Sequence, residues 1–219
     1  MATITDYGSL KSEIQVWAVR PDTVFGARVP LFVEMAEARL YNGAGQIGDD
    51  VYSPPLRSKV MEVTGTITLT AGVGTLPAEA LEVRRIYQDG DLRGLTYETP
   101  ERFKVFAANN PTAGDGIYYT VEDGLVYVSP PDSSDLGINY FRSYDPVTPS
   151  ATTGPLISEH GALYLAACLF EAFSFLQEGQ LAGAHLTRLR SMVAGANRTA
   201  LAMRMPGGQQ RIRMRNPIP

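Results

Sequence analysis

The chain has 219 residues, room for one large domain or two small ones, and its 44% apolar and 19% charged residues exclude a disordered polypeptide. One cysteine, Cys168, excludes an internal disulfide, and with only two histidines, His160 and His185, the ligand supply argues against a zinc cluster. The formal charge of −4 hides a polarity: seven of the 19 basic residues follow residue 187 and no Asp or Glu follows Glu178, which leaves 12 basic against 23 acidic residues, a formal −11, in the rest.

The opening MATITDYGS lacks the basic and apolar regions of a secretory signal, so none is expected. Thr5 reads as an N-cap with Asp6 in the first turn, and Leu10, Ile14 and Trp17 recur on one helical face until Pro21 stops the helix. Pro30 suits the first turn of a second amphipathic helix, continued by Phe32, Val33, Met35, Ala36 and Leu40 and stopped at Asn42-Gly43. Glu34, Glu37 and Arg39 read as a solvated or interface face of that helix. Residues 43–48, GAGQIG, match GxGxxG, but a dinucleotide loop needs a strand before it and a helix after it. Here a helix precedes and Asp49, Asp50, Pro54 and Pro55 follow, so residues 42–58 are expected to form a loop.

From Met61 the period changes to two. Met61, Val63, Ile67 and Leu69 predict a strand, Gly72 to Thr75 a loop or turn, and Leu81, Val83 and Ile86 a second strand. After the Asp89-Gly90 turn signal, Leu95 to Tyr97 read as a short returning strand, Pro100 to Phe106 as one or two helical turns, and Ala107 to Gly116 as a loop. Ile117–Val121 and Leu125–Val128 flank Glu122-Asp123-Gly124 as a hairpin, and Ile138 to Tyr144 is the last strand. Residues 61–145 are thus expected to be a small antiparallel β module. Its tyrosines, Tyr118, Tyr119, Tyr127, Tyr140 and Tyr144, fit ordinary strand composition and an interface face better than a sugar or base platform.

Pro155 to Gln177 is the stretch around which the rest is organised. Leu163, Tyr164, Leu165, Leu169, Phe170, Phe173, Phe175 and Leu176 surround the helical wheel, interrupted only by Glu171, Ser174 and Gln177. The run reads as too short and broken for a membrane span, hence as the central helix of a helical core or a helix packed between subunits. Trp17, Phe32, Leu163, Leu165, Leu169, Phe170, Phe173 and Leu176 are the expected core or subunit-interface residues, and Cys168 is read as a small core residue. Gly179 is expected to break the helix. Leu181, Leu186, Leu189, Met192 and Val193 then mark a last helix to about Met205, stopped by Pro206-Gly207-Gly208. The closing QQRIRMRNPIP alternates Arg with Ile or Met, an arm suited to adding to a sheet edge and setting arginines on acidic groups.

The expected class is α+β: a helical bundle from residues 1–58 and 154–205, an inserted antiparallel β module at 61–148, and an extended arm at 206–219. No GxSxG, Walker loop or HExxH occurs. The carboxylates are dispersed, although a glycosidase pair need not be close in sequence. Glu159-His160, the only adjacent acid–imidazole pair, reads as capping or solvation. No catalytic, cofactor or metal-binding residue is assigned, and an enzyme is not expected.

Six strings, in order, resemble the head-to-tail adaptor (connector) proteins of tailed, especially short-tailed, bacteriophages. They are LKSEIQVW (Leu10–Trp17), VPLFVEMAEARLYN (Val29–Asn42), LPAEALEVRRIYQDG (Leu76–Gly90), LTYETPERF (Leu95–Phe103), YYTVEDGLVYVSPPD (Tyr118–Asp132) and GPLISEHGALYLAACLFEAFSFLQE (Gly154–Glu178). The chain departs from the family at Glu79-Ala80, where an Asp-Phe is usual, and at Glu159-His160, where a Pro-Asp often stands. The resemblance implies a non-enzymatic virion protein without a cofactor, assembled in the host cytoplasm. It implies a dodecameric ring under the portal protein, tail or nozzle proteins on the other side, and viral DNA in the channel, with no membrane partner. It also implies that Arg211, Ile212, Arg213, Met214 and Arg215 form the portal-docking arm. An acidic body suits a channel through which DNA slides, because duplex affinity is built from cations on phosphates. Two other readings stand beside this one: a nucleic-acid-binding module using the arginine-rich C-terminus, and a glycan-binding tail component using the tyrosines.

Overall fold

A change of apolar period along the chain becomes a change of layer in space. The computed structural model describes residues 4–43, 54–89 and 94–204. Ala44 to Gly48 of the GxGxxG match, Gly90 of the turn signal and the whole arm Arg211–Arg215 lie outside the described residues.

The chain opens with α1 (Tyr7–Trp17), the short α2 (Thr23–Gly26) and α3 (Val29–Asn42). Asp6, not Thr5, is the N-cap of α1. Its Oδ1 accepts from the Ser9 N–H at 2.8 Å while Ser9 Oγ accepts from the Asp6 N–H at 3.3 Å, a reciprocal box that starts the helix one residue later than expected. After Pro21, Asp22 caps the unforeseen α2 through the Phe25 N–H at 2.8 Å. Pro30 lies in the first turn of α3, and Gly43, at φ 71°, stops it.

A 3-10 turn at Lys59–Met61 leads into seven strands: β1 (Glu62–Thr68), β2 (Val73–Thr75), β3 (Ala80–Gln88), β4 (Thr96–Tyr97), β5 (Tyr118–Glu122), β6 (Leu125–Ser129) and β7 (Asp135–Arg142). They form two sheets, in the orders β1-β7-β3 and β2-β6-β5-β4. The first is antiparallel, but β4 pairs with β5 in parallel, so the module is not wholly antiparallel as expected. Val73–Thr75, expected to be turn, is strand, because Ala71 and Gly72 alone make the reversal at positive φ and free these residues to pair with β6. β7 begins three residues early. Gly137 lies beneath the Tyr87 ring, so close that a Cβ there would come within 2.2 Å of it, and only glycine keeps the strand continuous. Between β4 and β5, α4 (Pro100–Asn109) extends into the segment expected to be loop.

α5 (Pro155–Phe175) and α6 (Gly179–Arg204) complete the chain. The break between them is made by Gln177 at φ 61°, with the Glu178 N–H donating to Phe173 O at 2.9 Å. Gly179 opens α6 rather than ending α5. α5 packs against α1, α3 and α6, and every residue from Leu163 to Leu169 is buried. By length and composition α5 would pass as a membrane span, contrary to the expectation from length, and 72% of that span is buried inside the fold. The chain therefore covers its apolar rod by itself. The composition of α5 is no evidence for a subunit partner.

Two hydrophobic cores result. One unites the helices and also takes in Leu56, Met61, Phe141 and Val147; the other lies between the sheets around Ile67, Ile86, Val126, Leu136 and Ile138. Glu37 is not on a solvated face. It is 4% exposed, and its Oε1 accepts from the Val147 N–H and Tyr164 Oη, both at 3.0 Å. Arg39 is likewise engaged: its Nε meets the buried Glu171 at 2.9 Å and its guanidinium lies 4.5 Å from the Phe170 ring centre. Both α3 groups face α5 because they share that face with Val33, Ala36 and Leu40.

Candidate assembly interface

The expected core and interface residues divide by depth. Phe32, Leu163, Leu165, Leu169 and Phe173 are buried, Phe170 and Leu176 are half-buried, and Trp17 stands at the rim, 40% exposed. Trp17 meets the His185 ring edge-on at 6.0 Å, and Arg188 lies over its face at 5.9 Å. His185 also stacks on Phe173 at 5.3 Å. Desolvation, with help from the Arg188 charge, holds its pKa below the usual imidazole range. Cys168 is fully buried and burial pushes its thiol up, so it stays a protonated core residue. Among the described residues, no three His, Cys, Asp or Glu side chains are grouped to hold a metal.

Around Trp17 the helical layer leaves its apolar surface uncovered. Val16, Val19 and Val24, at the end of α1 and in α2, are 68%, 81% and 74% exposed, and Phe175, at the end of α5, is 55% exposed. Val24 and Phe175 share a hollow of about 250 Å³ with Arg20 and Arg28, while Val16, Val19 and Pro21 line a second one. Val19 adopts φ 51°, which a β-branched side chain rarely tolerates. Exposed apolar residues grouped with arginines make this end a candidate contact surface. Helical periodicity misses this patch, since its residues lie off the buried stripe. The legible signal is valine at one outward position of α1, Val16, in the connector after it, Val19, and in α2, Val24.

The Glu159-His160 pair does not cap α5, whose N-cap is Gly154; Glu159 is exposed to solvent as expected, but His160 is not. His160 leaves helical geometry (φ −123°, ψ 36°), is half-buried and has no hydrogen-bond partner for Nε2 among the described residues. Desolvation lowers its pKa, opposed by the Glu159 charge. Gly161 follows because the N-terminal segment crosses α5 there, where a Cβ would come within 2.1 Å of the Ile4 carbonyl oxygen. Beside the kink, a hollow of about 400 Å³ is lined by Lys59, Val60, His160 and Met203, which places the end of α6 next to the turn that enters β1.

The tyrosines do not assemble into a ligand platform. Tyr119 and Tyr140 are buried, Tyr140 Oη donates to Glu79 at 3.1 Å, Tyr144 Oη donates to Val60 O, and Tyr118 stacks on Phe106 at 4.4 Å. The arrangement offers structural cross-links and docking surfaces rather than converging reactive groups.

The sequence model of the SU10 adaptor protein family matches residues 5–213, nearly the whole chain. Comparison with curated proteins finds no match.

Proposed function

Because the chain belongs to the SU10 adaptor protein family, the phage head–tail adaptors, and so is a structural component of the virion at the head–tail interface, we propose that it works as one subunit of a ring seated on the portal vertex. In this reading twelve copies close the ring, the tail or nozzle proteins attach to its far side, and viral DNA leaves through its channel. The helical parts, residues 1–58 and 154–205, form the body, and the β module at 61–148 is an insertion into it. The arm, with Arg211, Ile212, Arg213, Met214 and Arg215, grips the portal.

The match over residues 5–213 carries the reading. The uncovered apolar end at Val16, Val19, Val24 and Phe175 supports it. A stable subunit contact needs an apolar centre with a polar rim, and here Arg20 and Arg28 supply cations at that rim. The acidic body supports an unsticky channel, since a duplex passes most easily where few cations meet its phosphates. Deleting residues 207–219 tests the arm. The truncated protein is expected to keep its fold by circular dichroism and to lose co-sedimentation with portal particles; undiminished attachment would contradict the docking role.

A further inference from the structure

We infer that the arm has a resting place on its own subunit: before the portal takes it, the segment Arg211–Arg215 pairs with the open edge of β1. The inference rests on the reading of residues 206–219 as an extended arm but not on the portal being its target.

β1 is the exposed weakness of the two sheets. Natural sheets guard their edges with bulges, prolines, lysines, short strands or a covering segment. β3, the opposite edge of the same sheet, has two register shifts, and the Leu95 N–H donates to Ile86 O at 2.9 Å along its outer side. The edges of the other sheet, β2 and β4, are three and two residues long. β1 runs for seven residues, pairs with β7 in unbroken register, and contains no Pro, Lys or bulge. Alternate backbone groups of an edge strand point away from its partner. Those of Val63 to Thr68 have no partner among the described residues.

The arm matches this edge in period and chemistry. Val63 and Ile67 face the core between the sheets, whereas Thr64, Thr66 and Thr68 are exposed. On the exposed face Asp135 stands opposite Thr68 at the end of β1, while Glu62 at its start is half-buried and already paired with Arg84 at 3.1 Å. A strand formed by Arg211–Arg215 would put its three arginines on that face, and Ile212 and Met214 on the side of Val63 and Ile67. Position favours the chain's own arm over a neighbour's. Met203 shares its hollow with Lys59 and Val60, immediately before β1. The six residues 205–210, Pro-Gly-Gly included, span up to about 20 Å when extended. Docking there would shield the edge from pairing with other chains until the portal competes for the same segment.

Hydrogen exchange on the full-length protein tests this. The outward amides of β1 should exchange about tenfold more slowly than in a chain ending at Arg204, with β7 unchanged, and equally so on dilution. Ile212→Pro, which cannot sit inside a ladder, should lose the same protection in an otherwise intact chain. Equal exchange in all three proteins overturns the inference, as does protection that vanishes on dilution, which would assign the edge to a second copy. If truncation abolishes portal attachment while β1 exchange is unchanged, this inference fails and the portal-docking reading stands.

Discussion

At the scale of single residues, the buried acids set the chemistry of the fold. Glu37 is an acid held among apolar groups, and desolvation raises its pKa against the lowering pull of the Val147 N–H and Tyr164 hydroxyl. A raised folded pKa means the native state binds the proton more tightly than the unfolded chain does. Glu37's contribution is therefore full below the ordinary carboxylate pKa and is lost as pH rises through the folded value. Glu37→Gln, which keeps an acceptor oxygen, should remove this downward slope in urea titrations between mild acid and neutrality, and an unchanged slope would count against the assignment. The Arg39–Glu171 pair has the opposite asymmetry. Arg39→Ala strands a carboxylate that is 4% exposed, whereas Glu171→Ala leaves a cation that is 23% exposed and still rests on Phe170. Arg39→Ala should cost about 3 kcal/mol in denaturant unfolding and Glu171→Ala clearly less. At Val19 the two roles separate. Val19→Gly relieves a left-handed conformation worth ~1–2 kcal/mol against a glycine entropy cost of ~0.5–1 kcal/mol. Thermal stability should rise slightly while ring assembly, followed by light scattering, weakens; a fall in both would mean that Val19 serves the fold alone.

At the scale of elements, legibility followed how much of each signal was local. α5 could be read because seven consecutive residues, Leu163 to Leu169, are buried, and no surface helix shows such a run. The α3 boundaries were readable from Pro30 and Gly43. β2 was hidden because its pairing depends on β6, about fifty residues away, and its three residues follow a turn that needs only Ala71 and Gly72. The role of Glu37 was hidden for the same reason: its partners, Val147 and Tyr164, come from the far end of the chain. The kink at His160 was invisible because it answers the crossing of Ile4 over Gly161. Gly161→Ala should therefore act beyond local helix propensity, where alanine is the better residue by ~1 kcal/mol. The expected result is a lower melting temperature and faster proteolysis of the segment before α1; a stabilised protein would show that the crossing gives way freely.

At the scale of the whole molecule, the candidate surface was only half legible. The basic arm and acidic body were plain in the order of charges, and the resemblance placed them at a head–tail junction. The uncovered end at Val16, Val19, Val24 and Phe175 emerged only from the packing, which buries the middle of α5 inside one chain and leaves the apolar surplus at its last residue and around the end of α1 and α2. That moves the physical argument for assembly from the central helix to the rim around Trp17. A ring built there would make contacts between chains while each subunit stays folded alone, so monomer and ring should share one far-ultraviolet spectrum. The most direct test is electron microscopy of the full-length protein mixed with its portal. The account predicts rings seated on portal particles, lost on deletion of residues 207–219; portals left bare beside a full-length protein that remains monomeric would contradict it.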